Sequence, residues 1–139
     1  MDREILFRAK STDKGKWLYG DLYRDYIPES EIPYWYIYIK TKDQGTIPEN
    51  VIPETAGQYT GFKDRNENKI FEGDILKHTC QIDGEQIEQN YLVKFTDGAF
   101  RLFQRIDDPW SLDLLNRETL EFEHYVVIGN IHDNKELME

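Results

Sequence analysis

Large apolar side chains recur along this chain mostly at every second position, the period of a half-buried β-strand rather than of a helix. Over residues 3–10, Ile5, Phe7 and Ala9 fall on one face. Asp13-Lys14-Gly15 then marks a turn, and Lys16 to Leu22 returns as the second strand of a hairpin, with Trp17 and Tyr19 sharing a face and Trp17 expected in the core. Pro28 and Pro33 bound a polar connection. Beyond it, Tyr34-Trp35-Tyr36-Ile37-Tyr38-Ile39 is the strongest strand signal, with Trp35, Ile37 and Ile39 on a core face and Tyr34, Tyr36 and Tyr38 on the other.

Thr41 to Ala56 reads as a punctuated connection in which Pro48 and Pro53 exclude a central strand or a helix. It is the natural seam between an N-terminal unit, 1–56, and the remainder, 57–139. The stretch Gly57–Leu76 combines glycines, a polar turn block and an apolar exit. After it, Ile75–Ile82, Glu85–Thr96 and Ala99–Gln104 are joined by Asp83-Gly84 and Asp97-Gly98, the two-residue turns that suit an antiparallel twist, so a three-stranded meander is predicted. Its second strand places Tyr91, Val93 and Phe95 together. Apolar positions in Pro109–Leu120 have helical spacing and predict one short helix. Glu121–Ile131 returns to strand, with Phe122, His124, Val126 and Ile128 on one face, and Asp133-Asn134 is expected to cap a last helical turn through Met138.

Composition supports this all-β picture. With 139 residues, 39% hydrophobic and 14% aromatic, the chain can bury a real core, as one domain or as two small β units. Tyrosine is in excess, at nine residues. A formal charge of −10 and the lack of a Lys/Arg cluster weigh against dependence on phosphate neutralisation. A local strip at Lys63, Arg65 and Lys69 is the feature on which nucleic-acid binding would rest. Neither an N-terminal signal-like apolar segment nor a run long enough to span a bilayer is present, so a soluble cytoplasmic protein is expected, without a membrane partner.

Candidate chemistry is thin. Asp64-x-Asn66-x-Asn68 resembles the start of a calcium loop, but its sixth position is Lys69 and its twelfth Ile75, where the loop requires Gly and a bidentate Glu. A structural turn is the better reading. His78 and Cys80 share a strand face and His124 could join them across a sheet, yet no second close-spaced ligand pair completes a zinc site. Cys80, the single cysteine, is expected to be a small strand hydrophobe, and His132 a surface residue. Asp107-Asp108 suits a solvated loop, with no nucleophile or phosphate-loop motif beside it. No catalytic residue, cofactor or metal ligand is nominated. The face of Tyr34, Tyr36 and Tyr38 is the candidate interaction surface, with cross-strand pairing that stabilises the sheet as the competing reading.

Four blocks carry a family resemblance: Arg3-Glu4-Ile5 with Phe7-Arg8-Ala9; Gln58-Tyr59-Thr60-Gly61 with Lys63-Asp64; Phe71-Glu72-Gly73-Asp74-Ile75; and Val127-Ile128-Gly129-Asn130-Ile131. In that order they resemble the YopX-like family of phage and prophage proteins. The resemblance implies a β-rich protein with an SH3-like barrel portion and no established activity. Where members often carry Asn-Gly, this chain has Asn66-Glu67, so a longer loop is expected there. Gly61, Gly73, Asp74 and Gly129 are then architectural: glycines where a side chain does not fit, and an acceptor at a turn. The expected protein is an antiparallel β unit packed on a small SH3-like barrel. It is read as a non-enzymatic accessory protein acting through a protein partner or as a homo-oligomer, with nucleic-acid binding and acidic DNA mimicry as alternatives.

Overall fold

A computed structural model of the chain describes residues 3–25, 34–108, 113–116 and 124–139. The described residues form antiparallel β-sheets with short 3₁₀ turns at Pro53–Thr55 and Lys135–Met138. Two compact units divide the chain, Met1–Tyr59 and Thr60–Glu139.

In the first unit, β1 (Phe7–Lys10), β2 (Trp17–Asp25), β3 (Tyr34–Lys40) and β4 (Thr46–Asn50) lie in the order β4-β3-β2-β1, and the start of β5 (Gly57–Lys63) pairs with β1. Strand β2 changes partner along its length: Trp17–Gly20 pair with β1, Asp21–Asp25 with β3. Gly20 sits at the crossover, where a Cβ would lie 2.2 Å from the Tyr38 carbonyl oxygen, so only glycine permits this approach. A bridge from Ser11 to Val51 brings the chain after β4 back to the end of β1. Ala9, Ile37 and Val51 are buried, with Phe7, Leu18, Leu22, Trp35 and Ile39 packed around them.

Two expectations change in this unit. The connection 41–56 contains β4, and Pro48 lies within it opposite Tyr38. Proline is tolerated because β4 is the edge of the sheet order, where a missing N–H leaves no central ladder broken. Trp17 is outside the apolar cluster. The inward face of β2 belongs to Leu18 and Leu22, and Trp17 lies on the opposite face, half-buried under cations of β1.

In the second unit, β5 continues beside β6 (Lys69–Phe71). The meander consists of β7 (Asp74–Ile82), β8 (Glu85–Thr96) and β9 (Ala99–Phe103); with β10 (Asp113–Leu114) and β11 (His124–Asn130) it forms a sheet ordered β10-β9-β8-β7-β11. That order is open. Its hairpin turns have positive φ at both central residues, 52° and 82° at Asp83-Gly84 and 51° and 78° at Asp97-Gly98, the twist-matching form for two-residue connections. Ile70, Leu76, Tyr91, Val93, Leu102, Leu115 and Tyr125 make the buried cluster.

Within 109–120, the described residues Asp113–Leu114 are a strand paired with Arg101–Leu102, and the Leu115 N–H donates to the Phe100 carbonyl at 3.0 Å. Sheet pairing therefore replaces the expected helix at these positions; 109–112 and 117–120 lie outside the described residues. On β11 the inward residues are Tyr125 and Val127, so His124 and Val126 share the opposite face. Both parities of this strand are apolar, and the ring of Tyr125, stacked on His78 at 4.8 Å and set 5.8 Å from Tyr91, occupies the core. Phe122 lies outside the described residues.

Candidate functional site

Strand alternation collects aromatic side chains on one face of the first unit. Trp17, Tyr19 and Tyr23 of β2 share parity with Tyr34, Tyr36 and Tyr38 of β3, through the pairs Tyr23–Tyr36, Asp21–Tyr38 and Asp25–Tyr34. Arg8 and Lys10 of β1 stand on the same face, beside Tyr19 and Trp17. Tyr19, Tyr23 and Tyr34 are 50%, 51% and 41% exposed, while Trp17, Tyr36 and Tyr38 are half-buried. The rings of Tyr23 and Tyr38 meet edge-on, 6.4 Å apart at 73°. Both readings of the tyrosine row thus have substance: a cross-strand pair helps to fix the sheet, and aromatic surface remains open to solvent.

The two ends of the face differ in charge. At the Trp17 end, the Arg8 guanidinium lies 4.7 Å from the indole centroid and the Lys10 ammonium 5.6 Å, within the range of cation–π attraction. At the Tyr23 end, Asp21 and Asp25 alternate with the tyrosines. Sequence reading identified Tyr34, Tyr36 and Tyr38 but missed the contribution of β2. The signal was present as Trp17-x-Tyr19-x-x-x-Tyr23 opposite Leu18-x-x-x-Leu22, and only packing shows which of those faces is inward.

The stretch that resembles a calcium loop is a hydrogen-bonded turn. The Asp64 carboxylate, buried, accepts four hydrogen bonds: Oδ1 from the N–H groups of Asn66 (2.9 Å) and Asn68 (2.8 Å), Oδ2 from the Asn68 side-chain amide (3.3 Å) and the Val127 N–H (2.9 Å). The Asp64 N–H donates to the Asn68 carbonyl at 2.8 Å, and Glu67 has a φ of 66°, so the loop spans Asp64–Asn68 rather than two residues. Both carboxylate oxygens are already engaged by donors, which opposes cation coordination.

Gly61 has φ +90° within β5, and a Cβ there would meet nothing within 4 Å. Gly73 has φ +92°; its N–H donates to the Val93 carbonyl and its carbonyl accepts from the Ile131 N–H, each at 2.8 Å. Asp74 is buried and its Oδ2 accepts from the Phe71 N–H at 2.7 Å, closing the turn that Gly73 makes. Gly129 follows a register shift in β11, and a Cβ on it would fall 2.5 Å from Asn134 Oδ1. That oxygen accepts from the Asn130 N–H, so Asn134 braces the bulge rather than capping the turn that follows it.

His78, Cys80 and His124 do not converge. His124 pairs in register with Thr79, which directs it to the face opposite His78 and Cys80. Its Nδ1 instead lies 2.8 Å from Arg65 Nη1. Cys80 is half-buried, and His132 and Asp107 are exposed. Lys63 reaches Glu67 at 3.9 Å, so the strip of Lys63, Arg65 and Lys69 has ion-pair and histidine neighbours of its own. Among the described residues, no helix is long and apolar enough to cross a membrane.

A family model described as YopX protein matches residues 6–139. The crystal structure of protein EF1440 from Enterococcus faecalis is similar in fold, with a TM-score of 0.59 at 24% identity, covering 98% of this chain and 99% of that one. No curated protein matches.

Proposed function

The chain belongs to the YopX protein family, and we propose that it is a non-enzymatic phage or prophage accessory protein that works in the bacterial cytoplasm by protein–protein contact. The contact surface in this reading is the aromatic face of β1–β3. A second copy of the chain is one partner of the required kind, and the meander of the second unit serves as an SH3-like scaffold.

The observation that carries the reading is the grouping of Trp17, Tyr19, Tyr23, Tyr34, Tyr36 and Tyr38 on one sheet face with three of the tyrosines about half exposed. Contiguous aromatic surface of this sort is unusual on a protein that works alone, and tyrosine supplies contact area at low entropic cost. The same aromatics would stack nucleic-acid bases, which is what favours the alternative reading. Asp21 and Asp25 between the tyrosines oppose it, because they repel phosphates where the bases would sit.

The test compares wild type with Tyr19→Ser/Tyr23→Ser in light scattering and in affinity capture from host lysate, with thermal melting as the folding control. A partner or self-association lost in the double variant supports the reading. A strict monomer with identical captured proteins in both forms overturns it.

A further inference from the structure

We propose that the Tyr23 end of this face takes an arginine-bearing, net-basic segment of a partner protein. This rests on the reading of the face as a protein-contact surface and names the chemistry of the occupant.

Three observations lead to it. First, Asp21 and Asp25 share the face with Tyr19 and Tyr23, and their cross-strand neighbours on β3 are Tyr38 and Tyr34. A carboxylate beside an open aromatic ring is what a guanidinium requires, since its edge donates to carboxylate oxygens while its plane lies on the ring. Second, among the described residues neither of these carboxylates has an ion pair or a side-chain hydrogen bond. Tyr23, with its Asp neighbours at i−2 and i+2, is half exposed, so aromatic surface and charge are both available.

Third, aromatic rings of this sheet already carry cations on both of its faces. At the other end Arg8 and Lys10 lie over Trp17, and on the inward face Arg24 lies 5.5 Å from the Trp35 centroid. Among the described residues of β2 and β3, Lys40, two positions past Tyr38 and away from Asp25, is the cation of the outer face. The Tyr23 end therefore has the aromatic surface of the Trp17 end, with carboxylates in place of lysine and arginine. Charge complementarity selects the occupant: a polyanion meets Asp21 and Asp25, an acidic peptide meets the same repulsion, and a basic segment meets attraction reinforced by the chain's net charge of −10.

Fluorescence anisotropy with a labelled peptide of alternating glycine and arginine tests this. The glycine–lysine and glycine–glutamate peptides and an oligothymidylate serve as comparison ligands. The control variant Asp13→Asn/Asp43→Asn removes the same charge from exposed loop positions. Expected are saturable binding of the arginine peptide, weaker binding of the lysine peptide, and affinity losses of about tenfold in Asp21→Asn/Asp25→Asn and about threefold in Tyr23→Ala. The control should lose less than about twofold. The charge reversal Asp21→Lys/Asp25→Lys should abolish arginine-peptide binding and create binding of the glutamate peptide.

Equal losses in Asp21→Asn/Asp25→Asn and in the control would mean bulk charge attraction, and would overturn the proposal. Tighter binding of oligothymidylate than of the arginine peptide would do the same. If Tyr19→Ser/Tyr23→Ser loses a captured partner that Asp21→Asn/Asp25→Asn retains, the contact surface stands and the basic occupant falls. If neither variant changes capture, both readings fall.

Discussion

The Asp64 carboxylate accepts the backbone N–H of Val127 at 2.9 Å, joining residues 63 positions apart. Its other oxygen closes the loop from Asp64 to Asn68. One buried side chain thus sets the shape of a turn and anchors it to the last strand. Replacing it with Ala leaves donors of the turn and of β11 without their acceptor, and should cost about 3 kcal/mol of unfolding free energy in urea titration. Asp64→Asn, which keeps the shape but presents an N–H₂ to donors on one side, should cost about half of that. The wild type should gain no thermal stability from millimolar calcium, because the carboxylate is already satisfied by N–H groups.

Gly73 holds φ +92° while both of its backbone polar groups are hydrogen-bonded, so the chain cannot relax without breaking one of them. A β-branched side chain is strongly disfavoured there, and Gly73→Val should cost about 3 kcal/mol. Unchanged thermal stability in that variant would show that the turn tolerates another conformation.

Gly129 and Asn134 form a second coupled pair. A methyl group on Gly129 displaces the Asn134 amide, which otherwise accepts from the Asn130 N–H at 3.2 Å. Gly129→Ala and Asn134→Ala should each destabilise by about 1 kcal/mol, and the double variant by distinctly less than their sum. Strict additivity in a double-mutant cycle would separate the two residues.

The contrast between inner and outer faces of the first unit is directly measurable. Ile37, fully buried among Phe7, Leu18 and Trp35, should lose about 3–4 kcal/mol on replacement by Ala. Tyr23→Ala, at a half-exposed position, should lose under about 1 kcal/mol. A comparable loss at both positions would mean that Tyr23 serves the fold rather than a contact surface.

Local chemistry made much of the fold legible. Asp83-Gly84 and Asp97-Gly98 demand positive φ at both central positions, and the hairpins they close match the expected strands within a residue. The alternation in Tyr34–Ile39 separated Ile37 from the tyrosines because β-branched and hydroxylated rings occupy different parities. Asp64 could be read as a turn residue because its spacing from Lys69 and Ile75 fails what a hard cation needs, although its bond to Val127 was invisible at that sequence distance.

Parity alone could not say which side of a strand is inside when both sides carry large side chains. On β2, Trp17 and Tyr19 compete with Leu18 and Leu22, and on β11 Tyr125 and Val127 compete with Val126. The outcome depends on neighbours brought from elsewhere in the chain: Arg8 and Lys10 stack on Trp17 from β1, and His78 and Tyr91 enclose Tyr125. Pro48 likewise reads as a breaker until the sheet order makes its strand an edge. The strands flanking Asp83-Gly84 and Asp97-Gly98, the type of those turns and the role of Asp64 as a turn residue follow from near-neighbour stereochemistry, which the sequence determines by itself, whereas β4 and β10 exist as strands only through pairing with Tyr36–Lys40 and Arg101–Leu102. The inward faces, and with them the assembly of β2 and β3 into one aromatic and acidic surface, follow from packing between distant segments, which only the tertiary structure decides.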